Sequence, residues 1–277
     1  GSANAGGTAD DADDPPDGII DTVAWDLGAN APGTHGFKGG TPPAACQTTL
    51  TVEASTDTWI DEKNTETAKN YGAATVIDTS NRTSQDKVAV LRFGTIGTST
   101  LPAGATFNSA QLQATTSAGS GANRQVEVHE LSTAWTEGTS TNGGVCTGAG
   151  NGAAWQGPNC TDDWATAGGN FGTSDFNGTN LGTINPTNNG TTYNATVTSS
   201  VSSWLTGGTN RGLVLWPVGT DNGTVSWVSR EGAAASRPKI VITYTPNGCS
   251  GTATVRDTGA GEVPDTDREL EQRILAA

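Results

Sequence analysis

The sequence predicts an all-β protein, a jelly-roll-like β-sandwich with one short helix, an extended N-terminal arm and a short C-terminal helix. Many short runs rich in β-branched and aromatic residues are separated by Gly, Asn and Thr. Residues 124–131 alternate clearly, which places Val126 and Val128 on one face of a strand. Short strands at this spacing favour a sandwich or barrel over βαβ units. The predicted strands cover residues 49–55, 58–61, 87–93, 105–116, 124–131, 193–197, 211–218, 224–230 and 238–246.

A single short helix is predicted within the sandwich at residues 198–205. Helical spacing brings Val201, Trp204 and Leu205 onto one face, and the Gly207-Gly208 pair ends the helix. A second helix is predicted near the C-terminus, where residues 266–269 form a capping box. Its apolar stripe consists of Leu270, Ile274 and Leu275.

The chain divides into three parts. Residues 1–45 form an acidic arm of Gly, Ala, Asp and Pro, and residues 250–277 form a tail with the short helix. The sandwich is predicted at 46–249. Within it, residues 138–192 form a long Gly/Asn/Thr-rich insertion with little strand signal. Loops of that length are uncommon, so this insertion needs internal bracing or a function.

Composition excludes two classes of partner. The chain of 277 residues has 14 Lys and Arg against 28 Asp and Glu, a net charge of −14, so binding of nucleic acid through a basic patch is not expected. No apolar run approaches the ~20 residues of a membrane span. The absence of methionine, together with high Thr, Gly and Asn, indicates a processed, secreted protein of the cell surface. Gly1-Ser2 is also compatible with an expression remnant.

Six segments in order carry a family resemblance. They cover residues 53–80, 88–94, 105–113, 126–144, 197–217 and 228–244. This ordered set resembles the DNRLRE-type domain of secreted and surface proteins. The resemblance implies a jelly-roll-like β-sandwich that is often calcium-bound, and some relatives are classed as carbohydrate-binding modules, including alginate binders. The 138–192 insertion and both tails depart from the family pattern.

A calcium site is predicted on the second strand. Asp57 and Asp61 flank Trp59, so that both carboxylates lie on one side, and Asn64, Glu66 and Asn70 follow in a polar loop. Ca²⁺ takes six to eight oxygen ligands from carboxylates, amides and backbone carbonyls. The predicted ligands are Asp57, Asp61, Asn64 and Asn70, and the alternative is a solvated acidic loop.

A second calcium loop is proposed in the arm. Asp13, Asp17 and Asp21 keep alternate ligand positions of a DxDxDGxxD pattern, with Gly18 permitting the turn. Pro15 replaces one ligand, and a plain acidic linker is the alternative.

Four cysteines allow three pairings. Cys46 precedes the first core strand and Cys249 follows the last, and first and last strands of a jelly roll commonly lie side by side. We therefore predict a Cys46–Cys249 disulfide at the domain's ends and a Cys146–Cys160 disulfide inside the insertion. A metal site is the rival, but the spacing contains no CxxC pair.

Trp155 and Trp164 lie in the insertion, where we consider two roles. Exposed indoles stack on sugar faces, which makes both residues candidate platforms for a glycan. Alternatively, they pack the insertion onto the sandwich.

Three functions follow from these observations. The first is a non-enzymatic subunit of an extracellular fibre, in which the strand-capable stretch Ile19, Ile20, Val23 and Trp25 adds to a neighbour's sheet edge, making the partner a second copy of the chain. The alternative is a carbohydrate-binding module for an extracellular polysaccharide. A polysaccharide-acting enzyme is the third, and it lacks a recognisable motif such as GxSxG or HExxH.

Overall fold

The computed structural model describes residues 46–145, 152–166 and 171–247, which lie within the compact unit Ala44–Cys249. Its described residues form antiparallel sheets and one α-helix, so the predicted all-β class is confirmed. In chain order the elements are β1 (Thr48–Glu53), β2 (Thr56–Asp61), β3 (Lys69–Asn70), β4 (Val76–Thr79), β5 (Lys87–Arg92), β6 (Thr106–Ala118), β7 (Val126–Glu130), β8 (Gly144–Val145), β9 (Gly182–Ile184), β10 (Thr192–Thr196), α1 (Thr198–Leu205), β11 (Leu213–Pro217), β12 (Val225–Val228) and β13 (Lys239–Thr245).

Two larger sheets build the sandwich. The first sheet has the order β1-β13-β6-β12-β4, with β10 also paired to β6. The second has the order β2-β5-β11-β7-β9, and β3 pairs with β8 in a small separate ribbon. The first and last strands are neighbours, as expected, with Thr48 opposite Tyr244 and Glu53 opposite Lys239.

The main core lies between the two sheets. In β13, Ile240 and Ile242 are buried while the residues between them are partly exposed, the alternation expected of a sheet with one face toward solvent. They belong to one apolar cluster with Leu91 and Leu213 from the second sheet. The inward side chains of both sheets therefore interdigitate in a single core.

Helix α1 closes one part of this core. It spans the predicted residues and buries Val201 and Trp204, because both project from the same face. The Trp204 indole Nε1 and the Ser200 hydroxyl donate hydrogen bonds to the Glu130 carboxylate, at 2.7 and 2.9 Å. Gly207 follows the helix at φ +103°, a left-handed conformation that favours glycine.

The insertion covers the outer face of the second sheet. Four outward side chains are fully buried beneath apolar residues of the insertion: Ile60 of β2, Val88 and Val90 of β5, and Val214 of β11. This outer core comprises Ile60, Val88, Val90, Leu131, Trp135, Ala153, Trp155, Trp164, Phe171, Phe176 and Val214. The three strands are consequently buried on both faces. The insertion, for which the sequence predicts either internal stabilisation or a function, is stabilised by this second hydrophobic core.

Asp175 organises the insertion from inside. Its fully buried carboxylate accepts hydrogen bonds from the backbone N–H groups of Ala165 (2.6 Å) and Gly172 (3.1 Å) and from the Thr166 hydroxyl (3.1 Å). One side chain thus supplies the partners that sheet pairing would otherwise give these loop amides.

Four strands of the structure are not predicted by the sequence. They are β3, β4, β8 and β9, and each has four residues or fewer. The arm at 1–45 and the C-terminal helix lie outside the described residues. Among the helices that the structure does describe, none is long and apolar enough to cross a membrane.

Candidate functional site

A polar cleft of about 320 Å³ opens beside β2 and β5. Two aromatic residues and eight polar or charged residues line it. The lining residues are Trp59, Asp61, Lys63, Glu66, Tyr71, Ser80, Arg82, Gln85, Lys87 and Thr224.

The aromatic residues form a rigid wall of this cleft. The rings of Trp59 and Tyr71 stack at 3.8 Å between centroids and 17° between planes. The Lys87 ammonium lies 4.3 Å from the centroid of the Trp59 ring. Tyr71 and Lys87 therefore cover the faces of the Trp59 indole, and a ligand in the cleft would meet mainly the polar groups of the lining.

Charges in the cleft are mixed. Lys87 pairs with Asp78 at 3.0 Å and lies 3.8 Å from Asp61, and Lys69 pairs with Glu66 at 3.0 Å. The Tyr71 hydroxyl donates a hydrogen bond to Glu66 and thereby lowers the pKa of that carboxyl. Burial raises the pKa of Asp61 against the lowering effect of the Lys63 backbone N–H. Three of the chain's 14 basic residues, Lys63, Arg82 and Lys87, line this cleft.

A separate acidic cluster joins the two sheets. One carboxylate oxygen from each of Asp57, Glu137 and Glu231 lies within 4.8 Å of the others. Asp57 is the second residue of β2, the edge strand of the second sheet, Glu231 follows β12 of the first sheet, and Glu137 immediately precedes the insertion. The Arg230 Nε donates a hydrogen bond to Glu137 at 2.7 Å and forms an ion pair with Glu231 at 2.8 Å.

Asp57 is the most enclosed member of this cluster. It is 1% exposed, and its Oδ2 accepts a hydrogen bond from the Arg230 backbone N–H at 2.6 Å. Its Oδ1 is buried without a partner among the described residues. Burial raises the pKa of Asp57 to about 8, despite that hydrogen bond. Burial likewise raises the pKa of Glu137.

The four predicted calcium ligands of the second strand do not meet at one point. Asp57 joins the acidic cluster, whereas Asp61 lines the cleft and accepts a hydrogen bond from the Lys63 N–H. Asn64 is exposed. The Asn70 amide is buried, with its nitrogen donating to the Glu137 and Ala153 carbonyls and its oxygen accepting from the Gly72 N–H. Asn70 thus ties β3 to the insertion, and calcium itself stays a prediction.

The interpretation of Trp155 and Trp164 as exposed glycan platforms needs correction. The two residues are only 4% and 2% exposed and belong to the outer core. The Trp164 indole Nε1 donates to the Ala154 carbonyl at 2.8 Å, and its ring meets Phe171 edge-on. Both residues instead pack the insertion onto the sandwich, which was the alternative interpretation. They are buried because the outer face of the second sheet is apolar and the insertion shields it from water.

Cys46 and Cys160 are both disulfide-bonded. Their predicted partners, Cys249 and Cys146, lie outside the described residues, so the pairing stays a prediction. The β1–β13 pairing places Cys46 beside the end of the last strand, which supports the expected Cys46–Cys249 bond.

The remaining predicted residues lie outside the described part of the chain. They are the calcium loop Asp13, Asp17 and Asp21 and the subunit-contact residues Ile19, Ile20, Val23 and Trp25.

Sequence reasoning missed several residues that build the two sites. Glu137 is 80 residues from Asp57 along the chain, and Glu231 directly follows Arg230, which is 173 residues from Asp57, so no local pattern reveals the cluster. Lys87 begins a predicted strand and Arg82 precedes it, but nothing in their spacing marks them as lining a cleft. The charged SRE segment at 229–231 was the one available signal.

No family model matches the chain, and no curated protein matches it significantly. The DNRLRE resemblance therefore stays an expectation.

Proposed function

We propose that this protein is a non-catalytic binding module for an extracellular polysaccharide, with the cleft at Trp59 as its binding site. The observation that carries the proposal is the cleft's lining. Hydroxyl, amide, carboxylate and cationic groups converge around a fixed aromatic wall.

The size and polarity of the cleft match a sugar better than an apolar ligand. A volume of about 320 Å³ lies at the low end of small-molecule sites. Donors such as Arg82 and Gln85 and acceptors such as Asp61 are suited to the alternating hydroxyl groups of a pyranose. Trp59 and Tyr71 add aromatic carbon to the lining, so part of the C–H surface of a bound sugar would be removed from water.

Several features of the cleft favour binding over catalysis. Asp61 is engaged by the Lys63 N–H and by Lys87, and Glu66 by Tyr71 and Lys69. The donors on Glu66 favour its charged form, whereas burial raises the pKa of Asp61. A glycoside hydrolase needs two carboxyl groups that contact the substrate, one as general acid and one as nucleophile or base, and both of these carboxyls are instead engaged by groups of the protein.

Binding of the full-length chain to an array of neutral and acidic polysaccharides, followed by calorimetry on the best ligand, tests this proposal. Arg82 is exposed and its side chain has no bonded partner among the described residues, so Arg82→Ala should fold normally and weaken binding about tenfold. Arg237→Ala is the matched control, since Arg237 pairs with Glu53 away from the cleft. Equal binding by both variants, or no binding to any polysaccharide, would count against the proposal.

A second candidate is the fibre subunit, and the first sheet provides an observation in its favour. Among the described strands, β1 pairs only with β13, which leaves its other edge open. Its residues are exposed or partly exposed. An added strand from a neighbour would find unpaired backbone groups there.

Electron microscopy of the full-length chain and of a variant lacking residues 1–45 separates the two candidates. Fibres that require the arm support assembly through strand addition. Fibres formed equally well without the arm would exclude strand addition by the arm, and monodisperse particles from both proteins at all concentrations would remove the fibre subunit as a candidate.

A further inference from the structure

We propose that Asp57, Glu137 and Glu231 form a binding site for one divalent cation that prefers oxygen ligands, of the Ca²⁺ class. The inference does not depend on the polysaccharide proposal, because these residues lie outside the cleft lining. It also differs from the set predicted from sequence, since it excludes Asp61, Asn64 and Asn70.

The first argument is geometric. The three carboxylates come from different parts of the fold, and one oxygen of each lies within 4.8 Å of the other two. Ca²⁺ binds oxygen at 2.3–2.6 Å, so two ligands on opposite sides of one ion are roughly 5 Å apart. A single ion can therefore contact all three groups, with water completing its coordination.

The second argument is the unpartnered oxygen of Asp57. This side chain is 1% exposed, and its Oδ1 has no hydrogen-bond partner among the described residues. An unsatisfied buried acceptor is costly, and buried carboxylates are normally paired or coordinated. A cation between the three carboxylates supplies what Oδ1 lacks.

The third argument is charge. Arg230 is the cation bonded within the cluster, and it contacts Glu137 and Glu231 through their Oε1 atoms. It approaches Asp57 through its backbone N–H and the Oδ2 atom. If all three carboxylates are ionised, two negative charges remain uncompensated, and one divalent ion balances them. Arg230 is partly exposed, so its guanidinium can shift toward solvent to make room for an ion while it stays beside the cluster and keeps this charge balance.

The location explains what the ion would do. Asp57 lies on the second sheet, Glu231 follows a strand of the first, and Glu137 leads into the insertion. An ion held by all three would fasten both sheets and the base of the insertion at one point. Because it would bind only the native state, it would raise the melting temperature.

Calorimetric titration of the metal-free full-length chain with Ca²⁺ tests the site. Asp57→Asn and Glu231→Gln each remove one ligand charge, and each should weaken binding at least tenfold and abolish the Ca²⁺-dependent rise in melting temperature. Asp61→Asn is the matched control, since it removes a carboxylate from the same strand and should change the affinity less than twofold. Glu231 is partly exposed, so its variant decides the matter if Asp57→Asn fails to fold.

Three results would overturn the proposal. They are no binding of Ca²⁺ at millimolar concentration, binding unchanged in Glu231→Gln, and loss of binding in Asp61→Asn alone. The last result would move the ion to the Asp61 side of β2.

Discussion

The two sheets of this sandwich differ in what lies on their outer faces. Strand β13 of the first sheet alternates buried Ile240 and Ile242 with partly exposed neighbours. Strand β5 of the second sheet is buried at four consecutive positions, from Val88 to Leu91. The outer face of the first sheet is partly exposed to solvent at β13, whereas the outer face of the second sheet is covered by the insertion.

This difference shows how a segment with little strand signal becomes structural. The described residues of the insertion contribute few ladder hydrogen bonds, so their order comes from aromatic packing on an apolar sheet face. Phe171 and Phe176 pack against each other and against Trp216 on that face, with ring centroids 5.1–5.8 Å apart. A sheet with one apolar face can leave its other face in contact with solvent, but a sheet that is apolar on both faces requires a packed layer on each of them.

The largest effect is expected from Trp164→Ala. Removing this buried indole should leave a cavity in the outer core and lower the free energy of unfolding by about 3–5 kcal/mol. Urea unfolding followed by circular dichroism measures the change. A loss below about 1 kcal/mol would mean that the insertion does not stabilise the second sheet.

Asp175→Ala should have the next largest effect. The substitution leaves the amides of Ala165 and Gly172 and the Thr166 hydroxyl without their acceptor, at a cost of about 2–3 kcal/mol. Asp163→Ala, an exposed aspartate in the same segment, is the control and should be nearly neutral. Equal stabilities of the two variants in urea would show that Asp175 does not organise the insertion.

Val90→Ala and Val241→Ala compare the outer faces directly. Val90 is fully buried under the insertion, and its truncation should cost about 2 kcal/mol. Val241 lies on β13 between two inward isoleucines and is partly exposed, so the same truncation should cost less than about 1 kcal/mol. The comparison between the sheets breaks down if the two losses are the same.

The pH dependence of stability in chelator should report on the contact between the sheets at Asp57. Its folded pKa of about 8 lies above the value of 3.8 expected for the unfolded chain, so the native state holds this proton more tightly. Its contribution to stability is therefore complete below about pH 4 and is lost as the pH rises through 8, with a slope approaching 1.4 kcal/mol per pH unit between. In Asp57→Asn, this part of the dependence of the unfolding free energy on pH should be absent. Denaturant titrations that give the same pH dependence for the wild type and the variant would show that the pKa of Asp57 is not raised in this way.

The sequence predicts those parts of the fold that depend on local spacing. Helix α1 appears at its predicted residues because Val201, Trp204 and Leu205 repeat at helical spacing. Strand β4 was missed because four residues, Val76–Thr79, carry too little periodicity, and its partner β12 is about 150 residues away. Trp155 and Trp164 could be interpreted in two ways because composition does not reveal which surface an insertion covers.

The candidate sites were the least predictable part. Asp57 and Asp61 were correctly placed on one side of β2, since the register sets them opposite Leu91 and Lys87. Their surroundings differ because Glu137 and Glu231 reach only Asp57, through long-range contacts. Local spacing fixes the direction of a side chain, whereas the tertiary fold determines which groups it meets.

Hydrogen exchange measured by mass spectrometry on the wild type and on Trp164→Ala tests most directly whether the insertion acts as a structural layer. We expect the variant to lose protection in residues 152–166 and in β5 and β11, where the outer core lies. The β13–β6 pairing of the first sheet should keep its protection at a denaturant concentration where both proteins remain folded. Uniform loss of protection in both sheets, or none in β5 and β11, would contradict the account.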